Sequence, residues 1–108
     1  MSVNPAEPVV VAFHGELTIK EAPALRDSLV AVIRAGGSIV VLDLSAVSFV
    51  DQAAMGVVIG ARTRLQRSGG DLRLAALQPK VARVIGLVGG DLPVYPTVAA
   101  AVQDPPAP

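Results

Sequence analysis

The sequence contains no cysteine and only three aromatic residues, two phenylalanines and one tyrosine. Without cysteine the chain can form no disulfide bond, no thiolate metal site and no thiol nucleophile. Because 52% of the residues are hydrophobic but only 3% are aromatic, the core has to be built from valine, leucine, isoleucine and alanine. That composition is typical of buried strands covered by helices, and it favours an α/β fold over a sandwich of aromatic-rich strands.

The sequence also lacks an excess of either charge. Nine lysines and arginines balance nine aspartates and glutamates, so the electrostatic signature of a protein that binds nucleic acid or an anionic membrane is missing. No apolar stretch approaches the roughly 18 residues of a membrane span, and no positively charged segment precedes the first apolar run. We therefore expect no nucleic-acid partner, no direct membrane insertion and a cytoplasmic location.

Strand and helix signals alternate along the 108 residues, a length that suits one domain. In the first half, local patterns and turn residues predict a flexible lead-in at 1–8, a strand at 9–13, a brief second strand after a turn at Gly15, a helix from a Thr18–Glu21 capping box to Gly36 and a strand at 38–45. A loop at 46–50 follows, and then a helix at 52–66 and a strand at 71–77. The last part is predicted to contain a helix from Pro79, an edge strand at 92–96, a short helix at 97–103 and a disordered tail at 104–108. The order predicts a single α/β domain over residues 9–103, with a mixed, largely parallel sheet of four to five strands flanked by helices.

Few side chains are candidates for catalysis. Asp43 and Asp51 could bind Mg²⁺ or act as general acid and base, but no third acid or lysine is placed near them. We expect instead that Asp51 caps the helix that follows it and that Asp43 binds backbone donors at the end of its strand. His14 is the single histidine and precedes a glycine, which is typical of a turn residue. The sequence therefore predicts no enzyme, no cofactor and no metal.

The helix after Asp51 has two apolar strips. One consists of small residues and includes Gly56 and Gly60 beside Ala53 and Val57; the other is formed by Met55, Val58 and Ile59. Each glycine costs about 1 kcal/mol relative to alanine in a helix, so we expect another backbone to approach closely there. Packing of this helix on its own sheet is favoured over docking of a partner, because most apolar periodicity is core.

Five segments together resemble one known family. They are "GEL" at 15–17, "APALR" at 22–26, "VVLDLSAVSFVD" at 40–51, "MGVVIGA" at 55–61 and "GGDLRLAALQPKVARVIGLVG" at 69–89. In this order and spacing, through nearly the whole chain, they resemble the STAS domains of anti-sigma factor antagonists. The resemblance implies a small sheet flanked by helices that acts as a binding module without catalysis of its own.

Antagonists of this family dock on an anti-sigma factor, often a kinase of the GHKL type, and are switched by phosphorylation of a serine. That serine directly follows the acid that matches Asp51, and here the position is Gln52, followed by Ala53. Because an amide cannot accept a phosphoryl group, the resemblance implies an antagonist without the serine switch. The residues expected to bind the anti-sigma factor or kinase-like partner are Ser48, Asp51, Gln52, Ala53, Ala54, Met55, Val58 and Arg62.

Other functions are compatible with the same residues. The chain could be a ligand-sensing domain that binds a nucleotide or an apolar molecule near Asp51, or a domain that serves a scaffold or a transporter. Self-association through the strand "LPVYP" at 92–96 is a further alternative, although its prolines weaken edge pairing.

Overall fold

The computed structural model describes residues 7–88 and 90–106, and strands and helices alternate through them. The elements are β1 (Val9–Leu17), α1 (Ala22–Arg34), β2 (Ile39–Val50), α2 (Gln52–Arg67), β3 (Asp71–Ala75), α3 (Pro79–Val88), β4 (Val94–Tyr95) and α4 (Val98–Gln103). The four strands form one sheet in the order β1-β2-β3-β4. The predicted single α/β domain with helices flanking a sheet of four strands is confirmed.

The sheet differs from the prediction in strand direction and in strand length. β3 ends at Ala75 within the predicted 71–77, and β4 is limited to Val94–Tyr95 within the predicted 92–96. All three pairings between the described strands are parallel, so the antiparallel component of a mixed sheet is not found among them. The turn expected at Gly15 is absorbed inside β1, where Gly15 has φ 77° and the register with β2 shifts on either side of it. β2 likewise continues through the predicted loop at 46–50, because this segment pairs with the second half of β1.

Helices cover the sheet unequally on its two faces. Successive side chains of a strand point to opposite faces, so Val40 and Leu42 lie in the large cluster, whose helical members come from α1, α2 and α3. Val41 points the other way and packs with Ala75 and Ala101 of α4. Three helices therefore bury one face of the sheet, and the short α4 covers part of the other.

The parallel arrangement brings two connections together at the carboxyl edge of the sheet. Leu17 and Val50, the last residues of β1 and β2, are register partners, and the N–H of Asp51 donates to the carbonyl oxygen of Leu17 at 3.1 Å. As a result, the loop that enters α1 lies beside the first turn of α2.

The predicted lead-in and tail lie at the two ends of the chain, partly outside the described residues. Residues 1–6 of the lead-in and 107–108 of the tail lie outside the described residues. Within the tail, the backbone oxygens of Asp104 and Pro105 accept hydrogen bonds from the buried Arg73. The predicted tail at 104–108 therefore begins with a segment that β3 anchors.

Candidate functional site

Asp51 lies where β2 ends and α2 begins. Its backbone is extended (φ −111°, ψ −179°), and its Oδ1 accepts a hydrogen bond from the N–H of Ala54 at 3.0 Å. The predicted helix cap is thus confirmed. The second oxygen, Oδ2, accepts from the N–H of Ile19 at 2.9 Å, so one carboxylate orders both α2 and the loop between β1 and α1.

The other acid proposed for catalysis lies far from Asp51. Asp43 is in the middle of β2, where its Oδ1 accepts from the N–H of Ser45 at 3.0 Å. The register partners of Asp43 and Val50 on β1 are Ala12 and Leu17, which are five residues apart, so Asp43 and Val50 are separated by roughly 17 Å at the rise of a β-strand. The two carboxylates therefore do not form one acid–base pair. His14, expected in a turn, lies within β1 and is exposed.

Two of the predicted contact residues are exposed beside Asp51. Gln52 is the first residue of α2, and its side chain is exposed. Ser48, near the end of β2, is also exposed, and its hydroxyl donates to the carbonyl oxygen of Gly15 at 3.5 Å. Both side chains can reach a partner at the carboxyl edge of the sheet.

Three other predicted contact residues face the interior. Ala54, Met55 and Val58 are all buried in the main core cluster, because these positions of α2 point toward the sheet. Their side chains can position the surface but are not displayed on it. Ala53 is half-buried on the side that faces α1.

Arg62 lies at a distance from Asp51 because it is about three turns further along α2. Its Nε contacts Oδ1 of Asp71 at 2.8 Å, and its Nη1 contacts Oδ1 of Asp91 at 2.9 Å. The hydrogen bond to Asp71 raises the pKa of Arg62 above its ordinary value, against the effect of burial. The geometry assigns this arginine to a contact between α2, β3 and the loop before β4.

Sequence reasoning missed Ile19, which is 70% exposed. Its backbone is held by Asp51, and its side chain stands on the loop between β1 and α1. The sequence did contain a signal for it. Ile19 is an apolar residue inside the predicted Thr18–Glu21 capping box, where a side chain has no position in the core. The exposed side chains of Ile19, Ser48 and Gln52, together with Asp51, are called the Asp51 surface below.

The small-residue strip of α2 is open. A Cβ added at Gly56 or Gly60 would meet no atom within 4 Å outside the local helix. The expectation that a neighbouring backbone approaches these glycines is therefore wrong within the described residues. They line a groove between α1 and α2 whose volume is about 450 Å³.

Comparison with known proteins agrees with this geometry. The STAS domain family matches residues 2–101. The chain is 30% identical over 81 residues to the anti-sigma-B factor antagonist of Bacillus subtilis (strain 168). The matched residues cover 75% of this chain and 73% of that protein. An anti-sigma factor antagonist from Mycobacterium paratuberculosis superposes with a TM-score of 0.81 at 29% identity, over 96% of this chain and 92% of that one.

A solved structure from a transporter family shares the fold. The sulfate transporter family protein from Wolinella succinogenes superposes with a TM-score of 0.75 at 18% identity, over 94% of this chain and 86% of that one; this likeness concerns the fold alone. The structure is thus a small α/β domain with exposed side chains around Asp51. The chain belongs to the STAS domain family, as its sequence motifs predicted, and it is similar to the anti-sigma factor antagonists within it. In the described part of the chain, no helix is long and apolar enough to cross a membrane.

Proposed function

We propose that this protein is a cytoplasmic anti-sigma factor antagonist that binds an anti-sigma factor through the Asp51 surface and is not controlled by a serine at position 52. Its action is binding without catalysis. Similarity to the antagonist of Bacillus subtilis over three quarters of the chain supports the class of partner. The anti-sigma factor expected is a kinase-like protein of the GHKL type, as the resemblance implies.

The observation that carries the proposal is the exposed Gln52 directly after the capping Asp51. A phosphoserine at this place would add nearly two negative charges beside Asp51, which would oppose an acidic partner surface. The amide of Gln52 is neutral at any physiological pH and has no hydroxyl to modify. Binding is therefore permanently permitted at this position.

The test uses the purified chain and a GHKL-type anti-sigma factor from the same organism, with affinity measured by calorimetry. The wild-type chain is expected to bind, and Gln52→Glu is expected to bind at least tenfold more weakly. The control Gln66→Glu adds the same charge at an exposed position near the other end of α2 and should bind as the wild type does. Because a carboxylate at a helix N-terminus is stabilising by about 0.3–1 kcal/mol, Gln52→Glu should not unfold the chain.

The same partner permits a second measurement, phosphate transfer from ATP. The wild-type chain is expected to incorporate no phosphate at position 52, whereas Gln52→Ser restores a hydroxyl and should be labelled there. Equal affinity of the wild type and Gln52→Glu would refute the role of this surface. Failure of the same partner to label Gln52→Ser would refute the match between position 52 and the phosphoacceptor.

The other functions are outcomes of these experiments. If no anti-sigma factor binds either version, a transporter, a scaffold or a nucleotide becomes the expected partner, in line with the transporter-family fold neighbour. A homodimer would be recognised by the mass of the free chain in solution.

A further inference from the structure

The groove between α1 and α2 has the dimensions of a small-molecule site. Its volume of about 450 Å³ falls within the roughly 300–1,000 Å³ of ligand pockets. Along α2 it extends from Ala53 to Arg64, which is about 16 Å at the rise of an α-helix. The floor is apolar, with Leu29, Val30 and Ile33 from α1 facing Val57 and Ala61 from α2. The groove therefore suits a long, narrow, largely apolar molecule.

The two glycines that line the groove are not required by the packing of the described residues. Both Gly56 and Gly60 lie in the interior of α2, where glycine is unfavourable, and neither is needed to avoid a clash. Alanine would be accommodated at either position and would favour the helix. The effect of the two glycines is to keep the groove deep.

The charges at the groove all have one sign. Its charged lining residues are Arg26 and Arg64, and no acid lines it. Within residues 7–88 and 90–106, both ion pairs involve Arg62, so neither groove arginine is paired there. Asp27 belongs to the adjoining depression near Ile19, not to the groove. An occupant with a negative head group is complementary to this lining.

We propose that the groove binds a free long-chain carboxylate, with its acyl chain along Gly56 and Gly60 and its carboxylate on Arg26. Arg26 is assigned the head group because α1 and α2 both begin at the carboxyl edge of the sheet. Arg26 also lines the adjoining depression that contains Ile19, so the carboxylate then lies at the end of the groove nearer to the Asp51 surface. The acyl chain runs toward Arg64 and covers the apolar floor.

Such a ligand would place a removable negative charge close to Gln52. The bound carboxylate would weaken docking at the Asp51 surface for the same electrostatic reason as a phosphoserine. This consequence rests on the proposed function, whereas the binding itself does not. Binding and its effect on the partner are therefore measured separately.

The first experiment titrates the isolated full chain with myristate below its micelle concentration, using calorimetry and amide chemical shifts. We expect saturable binding of one myristate, with the largest shifts at the amides of Gly56 and Gly60. Tetradecyltrimethylammonium, which has the same chain and the opposite charge, and butyrate, which has the head group and little chain, should each bind at least tenfold more weakly. Equal binding of the cationic chain, or binding of myristate only as micelles, would overturn the proposal.

Variants locate the site. Gly60→Leu fills the groove and should reduce myristate affinity at least tenfold without lowering Tm, and Arg26→Gln should reduce it to a similar extent. Gly86→Leu is the matched control, since Gly86 is an open, exposed glycine of α3, and should bind as the wild type does. Unchanged affinity in Gly60→Leu overturns the site. Loss in Arg64→Gln with none in Arg26→Gln overturns the head-group placement.

The second experiment repeats capture of the anti-sigma factor with and without myristate. Saturating myristate is expected to reduce capture of that partner by the wild type at least fivefold and to leave capture by Gly60→Leu unchanged. If myristate binds in the groove but capture is unaffected, the regulatory role is refuted and the site stands. If the anti-sigma factor is not captured under any condition, the proposed function fails, and the regulatory role fails with it, independently of the binding result.

Discussion

The carboxylate of Asp51 accepts a hydrogen bond from the backbone N–H of Ile19 at 2.9 Å, across 32 residues of chain. The same side chain caps α2 through Ala54. The exposed isoleucine and the exposed Gln52 are therefore held in a fixed relation by one residue. The shape of the Asp51 surface therefore depends on the two hydrogen bonds that this carboxylate accepts.

Replacing Asp51 with alanine is expected to lower the free energy of unfolding by about 1–3 kcal/mol, because a helix cap and a second hydrogen bond are lost together. Urea denaturation monitored by circular dichroism measures the difference. Asp27→Ala, which removes an exposed acid from α1, is the control and should change the stability by less than about 0.5 kcal/mol. Equal effects of the two substitutions would contradict the connecting role of Asp51.

Replacement of glycine by alanine should change the free energy of unfolding in opposite directions at open and at crowded positions. Gly56→Ala and Gly60→Ala should each raise the free energy of unfolding by about 0.5–1 kcal/mol, because their Cβ positions are open and glycine is unfavourable inside a helix. Gly70→Ala should lower it by about 1–3 kcal/mol. There the new Cβ would overlap the carbonyl oxygen of Ser38, which accepts from the N–H of Asp71 at 3.0 Å and cannot move freely.

Thermal or urea unfolding of the three variants provides the measurement. Destabilisation by Gly56→Ala or Gly60→Ala would mean that the surface of α2 is covered by something within the chain. That result would also count against the open groove on which the ligand proposal depends.

The buried Arg73 anchors the end of the chain. Its Nη1 donates to the carbonyl oxygens of Ala101 and Asp104, each at 2.7 Å, and its Nη2 donates to that of Pro105 at 3.2 Å. The guanidinium also lies 5.5 Å from the centre of the Tyr95 ring. These carbonyls are at the negative end of α4, where a cation is favoured, so this side chain joins the end of the helix to β3 in addition to the packing of Ala101 against Ala75.

Substituting Arg73 with methionine keeps the apolar length of the side chain and removes its donors. We expect a loss of about 1.5–3 kcal/mol, the range for hydrogen bonds to a charged group, and faster amide exchange at residues 98–104. Arg34→Met, at an exposed position of α1, is the control and should change neither. Unaltered exchange in α4 of the Arg73 variant would show that α4 packs independently of this contact.

The accuracy of the sequence-based predictions follows the range of the interactions involved. The start of α2 was predicted correctly, because the Asp51 cap is a local signal. The extension of β2 to Val50 was not, because it depends on pairing with Leu17, which is 33 residues away. Residues 46–50 include strand-forming valine and phenylalanine, but the register shifts that let β2 continue beside β1 depend on the pairing itself.

The candidate site was predicted in part for a related reason. Asp51 and Gln52 were located by the family motif; Gln52 is exposed, and the half-buried Asp51 caps α2. Helical periodicity identifies stripes on α2 but does not say which stripe faces the sheet. For this reason Met55 and Val58, which are core residues, were included with the contact residues. Whether any of these residues binds a partner stays a prediction until the capture experiments are done.

The loss of stability as the pH falls below about 5 should depend in part on Glu21. The predicted capping box at the entry of α1 is half formed, because Oε2 of Glu21 accepts from the N–H of Thr18 at 3.0 Å, while the Thr18 hydroxyl donates to the same oxygen at 2.6 Å. The Thr18 hydroxyl, and then the Thr18 N–H, hold the pKa of Glu21 below its ordinary value of 4.5. A carboxyl with a lowered folded-state pKa stabilises the protein above its unfolded-state pKa and loses that contribution as the pH falls through the folded-state pKa.

Glu21→Gln should therefore reduce the fall in Tm between pH 5 and pH 2.5, and its Tm at pH 7 should be lower than that of the wild type. Thr18→Val removes the hydroxyl but leaves the backbone donor, so it should produce a smaller change in the same direction. Glu16→Gln, at an exposed carboxyl of β1, is the matched control and should retain the wild-type slope. If Glu21→Gln retained that slope as well, the two hydrogen bonds from Thr18 would contribute nothing to the pH dependence. The entry of α1 would then depend on its backbone turn, in which the N–H groups of Glu21 and Ala22 both donate to the carbonyl oxygen of Thr18 at 3.0 Å.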